Sequence, residues 1–351
     1  MITNLQLKNF MGFSELGIDF SPKINVIIGE NGTGKTHLLK AAYALCAGDT
    51  AFKNKGAIAE ADLEAALTTR LLRTFMPLDD KLWEMRRRGA GDGAQIGAAF
   101  VFDKKITVGF NTNSKTVSVK ENVDYERYSW QPAFIPTKEV LSFMKGFNSL
   151  YEKYELSFDQ TYQDICLMLD LPELRADKLP EKSKWAMDEI EGICGGRFSF
   201  YGGGKVTFKT KEAEFSANAM AEGFRKAGML SRLLATGAIR PGVSGPLFWD
   251  EPESNMNPKL MKLLVQIVLE LSRDGQQIIL ATHDYVLLKW FDLLMDKGKD
   301  DHVRFHVLKS SHDGVAVESA DSYQAIPETA IANAFSDLYD AEIKRALGYG
   351  Q

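Results

Sequence analysis

Eight consecutive residues, Gly29, Glu30, Asn31, Gly32, Thr33, Gly34, Lys35 and Thr36, satisfy the spacing G-x-x-x-x-G-K-[ST]. Each position has a chemical reason. Glycines let backbone N–H groups converge on phosphate oxygens, a helix N-terminus adds the positive end of its dipole, Lys35 bridges the outer phosphates, and Thr36 offers a hydroxyl to Mg2+. At ordinary glycine usage the string arises by accident in roughly one chain of this length in a hundred, before any demand on its flanks. The expected ligand is a nucleoside triphosphate.

A phosphate cradle does not by itself separate kinases, GTPases, motors and switches. The stretch "GPLFWDEPESNMNPKL" narrows the choice, because Asp250 and Glu251 follow directly on the apolar Leu247, Phe248 and Trp249. Adjacent carboxylates on an extended chain point to opposite sides and can do different work. Asp250 is expected to hold Mg2+ through water, and Glu251 to orient and deprotonate an attacking water. A third segment, "QQIILATHDYVLL", places His283 after another apolar run, where it could donate a hydrogen bond to a γ-phosphate. Two adjacent carboxylates with a histidine suit water attack better than phosphoryl transfer to a small molecule.

These residues need strands that end at one edge and a helix that begins at the cradle. Ile24 to Ile28 is a continuous apolar run of the kind a central strand shows when both faces are covered, and "THLLKAAYALC" continues from Thr36 with apolar positions on one side. Leu247 to Trp249 and Ile278 to Ala281 read as neighbouring buried strands, and Pro252 cannot donate to a ladder and so ends the first. Open α/β sheets bind ligands at the C-terminal ends of such strands.

Composition sets outer bounds. A net charge of −5 argues against wholesale coating of nucleic acid while leaving room for a local basic patch. Cys46, Cys166 and Cys194 are far apart and lack metal-ligand spacing, which suggests buried thiols in a reducing compartment. No apolar run approaches the roughly 20 residues that span a bilayer, and the N-terminus lacks the apolar block of a signal peptide. A cytoplasmic protein without membrane contact is expected.

Together, "LQLKNFMGFSELGIDFSPKINVIIGENGTGKTHLLKA", "LFWDEPESNMNP" and "ATHD" resemble the ABC-type ATPases of the RecF, SMC and OLD group, often labelled AAA ATPases. The resemblance covers the first fifty or so residues and about 217–284, and is specific for the ATPase head rather than its biological task. It implies an α/β P-loop NTPase with a central, mostly parallel sheet, an antiparallel β subdomain and an inserted helical lobe. It also implies ATP and Mg2+ as ligands, with the cradle running from Gly29 to His37, Thr36 and Asp250 on the metal, and Lys35, Glu251 and His283 as catalytic residues. Two heads would dimerise face to face on two ATP molecules, and higher assemblies remain open.

Each ATP would also meet the partner's signature, L-S-x-G-x-[RK] in the family. "MAEGFRK", Met220 to Lys226, is its best match here, so that Ala221, Glu222 and Gly223 would face the γ-phosphate across the seam. Ala221 stands where the family has serine, which leaves the trans contact to backbone N–H groups. Glu253 to Asn257 resembles the D-loop. The Q-loop is sought in "AFIPTKEVLSF", which offers Thr137, Lys138 and Glu139 but no glutamine, since Gln131 lies before the strand.

Three segments are expected: 1–137 as the first half of the head, 138–194 as a helical lobe, and 195–351 as the second half. Helices are expected over 58–88, with Leu63, Leu67 and Leu71 on one stripe, then strands near 98–102, 106–110 and 116–119. Arg86, Arg87 and Arg88 could meet nucleic acid or an acidic partner, although a solvated charge run is the plainer reading. From Glu139 the stripe Val140, Met144, Phe147 and Tyr151 reads as helix. After His283, two strands turning at His312, Asp313 and Gly314 and a closing helix over 327–348 leave no room for the C-terminal nuclease of many OLD-type proteins. The expected activity is an ATP-dependent switch that gates a separate effector in anti-phage defence. A DNA-repair or chromosome-maintenance head stimulated by DNA, and a scaffold that binds ATP without hydrolysis, are the alternatives.

Overall fold

All three apolar runs that precede the candidate site residues lie side by side in one sheet. A computed structural model describes residues 1–48, 59–91, 93–127, 130–154, 156–311, 314–326 and 339–345. Strands β3 (Ile24–Gly29), β7 (Ala133–Ile135), β11 (Leu247–Asp250), β12 (Ile278–Thr282) and β13 (Val303–Ser311) run parallel, and β14 (Gly314–Ala320) closes one edge antiparallel to β13. The spatial order is β14-β13-β3-β12-β11-β7. The cradle strand β3 is therefore flanked by β12 and β13, and every residue of β3 is buried.

Alternation along these strands sends side chains to two cores. Ile24, Val26, Ile28, Trp249 and Leu280 face one, while Ile27, Phe248, Ile279 and Ala281 face the other. Helix α1 (Lys35–Cys46) covers the second face together with an antiparallel sheet, β2-β1-β4-β5-β6, made of β1 (Ile2–Phe10), β2 (Phe13–Asp19), β4 (Ala94–Phe100), β5 (Lys105–Phe110) and β6 (Ser118–Val123). Helix α2 (Glu60–Phe75) packs on α1 through Leu63, Leu67 and Leu71, the stripe expected from spacing. Beyond it the chain makes short 3-10 turns at Leu78–Asp80 and Leu82–Met85 instead of a second helix.

The first face carries the helical lobe: α3 (Phe147–Lys153), α4 (Gln160–Leu169) and α5 (Glu181–Cys194), with α6 (Glu222–Thr236), α7 (Pro258–Arg273) and α8 (Tyr285–Leu294) completing the layer. A small sheet of β8 (Arg197–Tyr201), β9 (Lys205–Lys209) and β10 (Glu214–Ser216) leads into α6.

The helix expected from Glu139 does not begin until Phe147. Val140 and Met144 are buried in irregular chain, because Glu139 is drawn into an ion pair with Arg225 of α6 rather than into a helical turn. The strand expected at 98–102 lies instead at Ala94–Phe100, and that expected at 116–119 at Ser118–Val123. The turn residues His312 and Asp313 lie outside the described residues, as does most of the expected closing helix, of which 339–345 is helical. No helix among the described residues is long and apolar enough to cross a membrane.

Candidate functional site

The cradle is built where β3 ends and α1 begins. Gly32 and Gly34 adopt φ of +85° and +86°, the left-handed region in which glycine carries no Cβ penalty. A Cβ on Gly34 would in addition lie 2.8 Å from the ring of Phe13, which is fully buried beneath the loop. Gly34 is thus the N-cap of α1, and the first N–H groups of that helix open toward the loop. Lys35 folds back across it: Nζ donates to the carbonyls of Gly29 at 2.8 Å and Glu30 at 3.0 Å. Burial lowers the Lys35 pKa, opposed by the nearby Glu251, Asp250 and Glu253 carboxylates. Thr33 hydrogen-bonds Glu30 within the turn, and the His37 ring lies against Phe75.

Asp250 ends β11, two strands from β3 across β12. Its Oδ2 accepts from Thr36 Oγ1 at 2.9 Å and from Thr137 Oγ1 at 2.8 Å, while Oδ1 is buried without a hydrogen-bond partner. Burial raises the Asp250 pKa, and the two threonine hydroxyls work against that rise. A buried carboxylate oxygen with no donor is unfavourable unless something cationic completes it. Among the described residues no three His, Cys, Asp or Glu side chains converge on a dedicated metal cage. One carboxylate with two hydroxyls beside a phosphate cradle is the donor set that suits Mg2+, which keeps water and substrate oxygens as its remaining ligands. The residues present fit that ion.

Glu251 follows with φ of +46°, a left-handed conformation that costs a non-glycine residue about 1–3 kcal/mol. The turn is held because Glu251 N donates to Ala281 O at 2.9 Å and Ser254 N to Glu251 O at 3.1 Å. The bend brings Glu251 Oε1 within 3.1 Å of His283 Nδ1 from the end of β12. Glu253, which the resemblance placed in the D-loop, is buried with its Oε1 3.7 Å from the same Nδ1. Its Oε1 accepts from Thr282 Oγ1 at 2.7 Å and from His283 N at 3.3 Å, and burial raises its pKa.

The signature segment forms the start of α6, with Ala221 as its N-cap, Ala221 exposed, and no side-chain hydrogen bond there. Gly223 is required by a close approach: a Cβ would lie 2.7 Å from Asn255 O and 3.2 Å from Met256 Cα. The expected signature segment therefore packs on the expected D-loop segment of its own chain. One turn on, Lys226 is fully buried and its Nζ donates to Ser254 Oγ and, at 3.3 Å, to Glu251 O.

The structure thus brings Lys35, Thr36, Asp250, Glu251 and His283 to one sheet edge. Gln131 is at the far end of β7, where its carbonyl accepts from Gly245 N. Thr137, at the near end, touches Asp250 instead. The polar sequence "PTKE" directly after a buried strand was the available signal. Arg86 and Arg87 run beside β1, with Arg86 bridged to Phe10 and Arg87 N bonded to Asn9 O.

A Gly-rich cradle, an acidic strand end and a histidine on adjacent parallel strands, with a signature helix and a helical lobe, define an ABC-type ATPase head. Residues 4–165 match a family described as AAA domain, and 199–289 match one described as AAA domain, putative AbiEii toxin, Type IV TA system. The DNA replication and repair protein RecF of Bacillus cytotoxicus is 50% identical over 44 residues, and that of Bacillus mycoides 52% over 44. These segments cover only 12% of this chain and 12% of each relative. Among solved structures, an SMC head bound to the C-winged helix domain of ScpA aligns over 92% of this chain and 98% of its own, with TM-score 0.59 and 13% identity. The SMC head domain from Thermotoga maritima aligns over 91% of this chain and 98% of its own, with TM-score 0.51 and 13% identity. By fold the chain is an ABC-type head like those of SMC proteins, and its matched segments are similar to AAA domains and to RecF.

Proposed function

We propose that this chain hydrolyses ATP, dimerises on it, and uses the cycle to gate a separate partner. The observation that carries the reading is the buried Asp250, one oxygen held by two threonines and the other unpartnered, set between the lysine of the cradle and the Glu251–His283 pair. When bound, Mg2+ would neutralise phosphate charge and fix the phosphate oxygens. Lys35 and the N–H groups from Gly29 to His37 would hold the triphosphate, and Thr36 and Asp250 the ion. Glu251 would orient a water and take its proton as the water oxygen bonds to the γ-phosphorus and the bond to the ADP oxygen breaks. His283 would keep that carboxylate in place through Nδ1. The exposed Ala221, the half-buried Glu222 and the buried Gly223, at a helix start, would meet the nucleotide of a second copy.

Substituting Glu251→Gln tests the reading. Hydrolysis should fall about a thousandfold, the scale expected for removing a general base, while light scattering shows an ATP-bound dimer. An undiminished rate, with no dimer, would overturn it.

The match of 199–289 to a family described as a putative toxin of a type IV toxin–antitoxin system favours a defence setting, with gating of an effector, including anti-phage defence. The short RecF matches favour a second reading, a DNA-repair or chromosome-maintenance head. Hydrolysis measured with and without DNA ends, then with Arg86, Arg87 and Arg88 changed to alanine, separates them. Stimulation by DNA that the triple variant loses would select the second.

A further inference from the structure

The small sheet that leads into α6 has one unfinished edge. Its order is β10-β9-β8, and among the described residues no strand pairs with the outer side of β10. Thr210 N donates to Ala213 O at 2.9 Å across the turn between β9 and β10, and Glu214, Phe215 and Ser216 then lie opposite Lys209, Phe208 and Thr207. Alternation from that bonded pair turns the main chain of Phe215 toward β9 and the N–H and C=O groups of Glu214 and Ser216 toward the open edge. The side chains divide as well. Phe198, Phe208 and Phe215 form one row across the three strands, with Phe198 pressed on Gly228 of α6. Phe208 is buried, whereas Phe215, last in the row, is 46% exposed. The opposite face carries Arg197, Tyr201, Lys205, Lys209 and Glu214, all exposed. Glu214 accepts from Tyr201 Oη at 2.9 Å and from Thr207 Oγ1 at 2.5 Å, and Lys205 Nζ lies 5.3 Å from the centre of the Tyr201 ring. Lys145, Lys205 and Ser216 line a cavity of about 620 Å3 whose one acid is Glu214. Its cations outnumber a carboxylate that two hydroxyls already hold.

We propose that this edge receives an extended segment of the partner protein as a fourth strand, with apolar residues on one face and an acidic residue on the other. This rests on the reading that the chain gates a separate partner, and names the surface that would grip it. The segment's main chain would bond to Glu214 and Ser216, its apolar side chains would continue the row past Phe215, and its acid, set beside Ser216, would enter the cavity toward Lys145 and Lys205. The residue beside Glu214 would be neutral, since like charges directly opposite repel. Charge alone would also suit a nucleic-acid strand, but the rings do not. A stacking platform needs free ring faces on the basic side. Tyr201 there has Lys205 over its ring and its hydroxyl on Glu214, while Phe215 lies on the other face. An open ladder with an unfinished aromatic row fits a peptide.

The test titrates the full chain with a synthetic peptide of about six residues, an ordinary strand length, in which valine alternates with glutamate and threonine. Amide hydrogen exchange at Glu214 and Ser216 should slow about tenfold at saturation. Methylating the peptide's alternate main-chain nitrogens should abolish binding. Lys205→Glu should weaken it about tenfold and Lys205→Arg should restore it, with ATP affinity unchanged in both as a check on the fold. No binding at millimolar peptide, or binding that leaves the two amides unprotected, overturns the proposal, since lysines beside an edge can serve only to keep other strands away. Protection of the same amides by single-stranded oligothymidine, with none from the peptide, overturns it in favour of a nucleic-acid face. A chain that hydrolyses ATP normally and ignores the peptide loses only this inference, and one that binds the peptide without hydrolysing ATP loses only the proposed hydrolysis.

Discussion

The two ends of the central sheet differ in how their buried polar groups are satisfied. At the N-terminal ends of the strands, Gln277 Oε1 accepts from Ile2 N at 3.0 Å, and Nε2 donates to the carbonyls of Ile2 and Ser21 at 2.8 and 2.9 Å. Asn25 exchanges two hydrogen bonds with the backbone of Ser21. Gln276 donates to Gly245 O and accepts from Ser244 Oγ, and His306 lies between Ser319 Oγ and Asn25 Oδ1. At the C-terminal ends, Asp250 Oδ1 and Glu253 Oε2 are buried and unpartnered, Glu251 has a strained backbone, and Lys35 caps the carbonyls of its own loop. A network that is closed on itself specifies the fold, whereas one left open at a few atoms is prepared for something that arrives. The comparison is itself a signal for the site, independent of any motif.

Acid should break the closed end first and by the largest amount. Burial lowers the His306 pKa to about 3, with Arg304 adding to the fall and Asp321 and Asp19 opposing it. The unfolded chain then takes up a proton that the folded chain refuses. Stability from this residue is complete above pH 6.5 and is lost as pH falls toward about 3, on the order of 5 kcal/mol in all. Urea unfolding across that range, with His306→Gln as reference, checks it, since the variant should lack this share of the pH dependence. Next in size is Gln277→Leu. It leaves the buried Ile2 N–H without its side-chain acceptor and removes a donor from the carbonyls of Ile2 and of Ser21, the latter still held by Asn25, a loss of about 2–3 kcal/mol. Chemical denaturation should register that loss with the nucleotide affinity of the folded fraction unchanged.

What could be read in sequence follows the same division. Gly29 to Thr36, Asp250, Glu251 and His283 are legible because each closes an apolar run with residue types that only phosphate or water chemistry explains. Thr137 and Glu253 are not, because their roles depend on partners 113 and 29 residues away, Asp250 and Thr282. The stripe Val140, Met144, Phe147 and Tyr151 has helical spacing throughout, yet its first half is irregular chain pinned by Arg225. Periodicity reports which side chains are buried, and buried side chains need not lie on a helix. The signature is partly legible. Its glycine is explained by Asn255 and Met256 of the same chain, a contact that spacing does not reveal.

The smallest expected change in stability sharpens the comparison most. Asp250→Asn removes a buried charge, keeps an oxygen for the hydroxyls of Thr36 and Thr137, and places an amide where Oδ1 has no partner. Relief from the buried charge and the cost of the unpaired amide oppose each other, so stability at neutral pH should shift by no more than about 1 kcal/mol. The pH dependence has the opposite sign to that of His306. Because burial raises the Asp250 pKa, the folded chain takes up this proton more readily than the unfolded one, and wild type gains on the variant as pH falls through the raised value. Isothermal titration should show ATP binding that Mg2+ no longer strengthens. A loss of stability as large as that of Gln277→Leu would mean that Asp250 belongs to a closed structural network, and the contrast between the two ends of the sheet would fail.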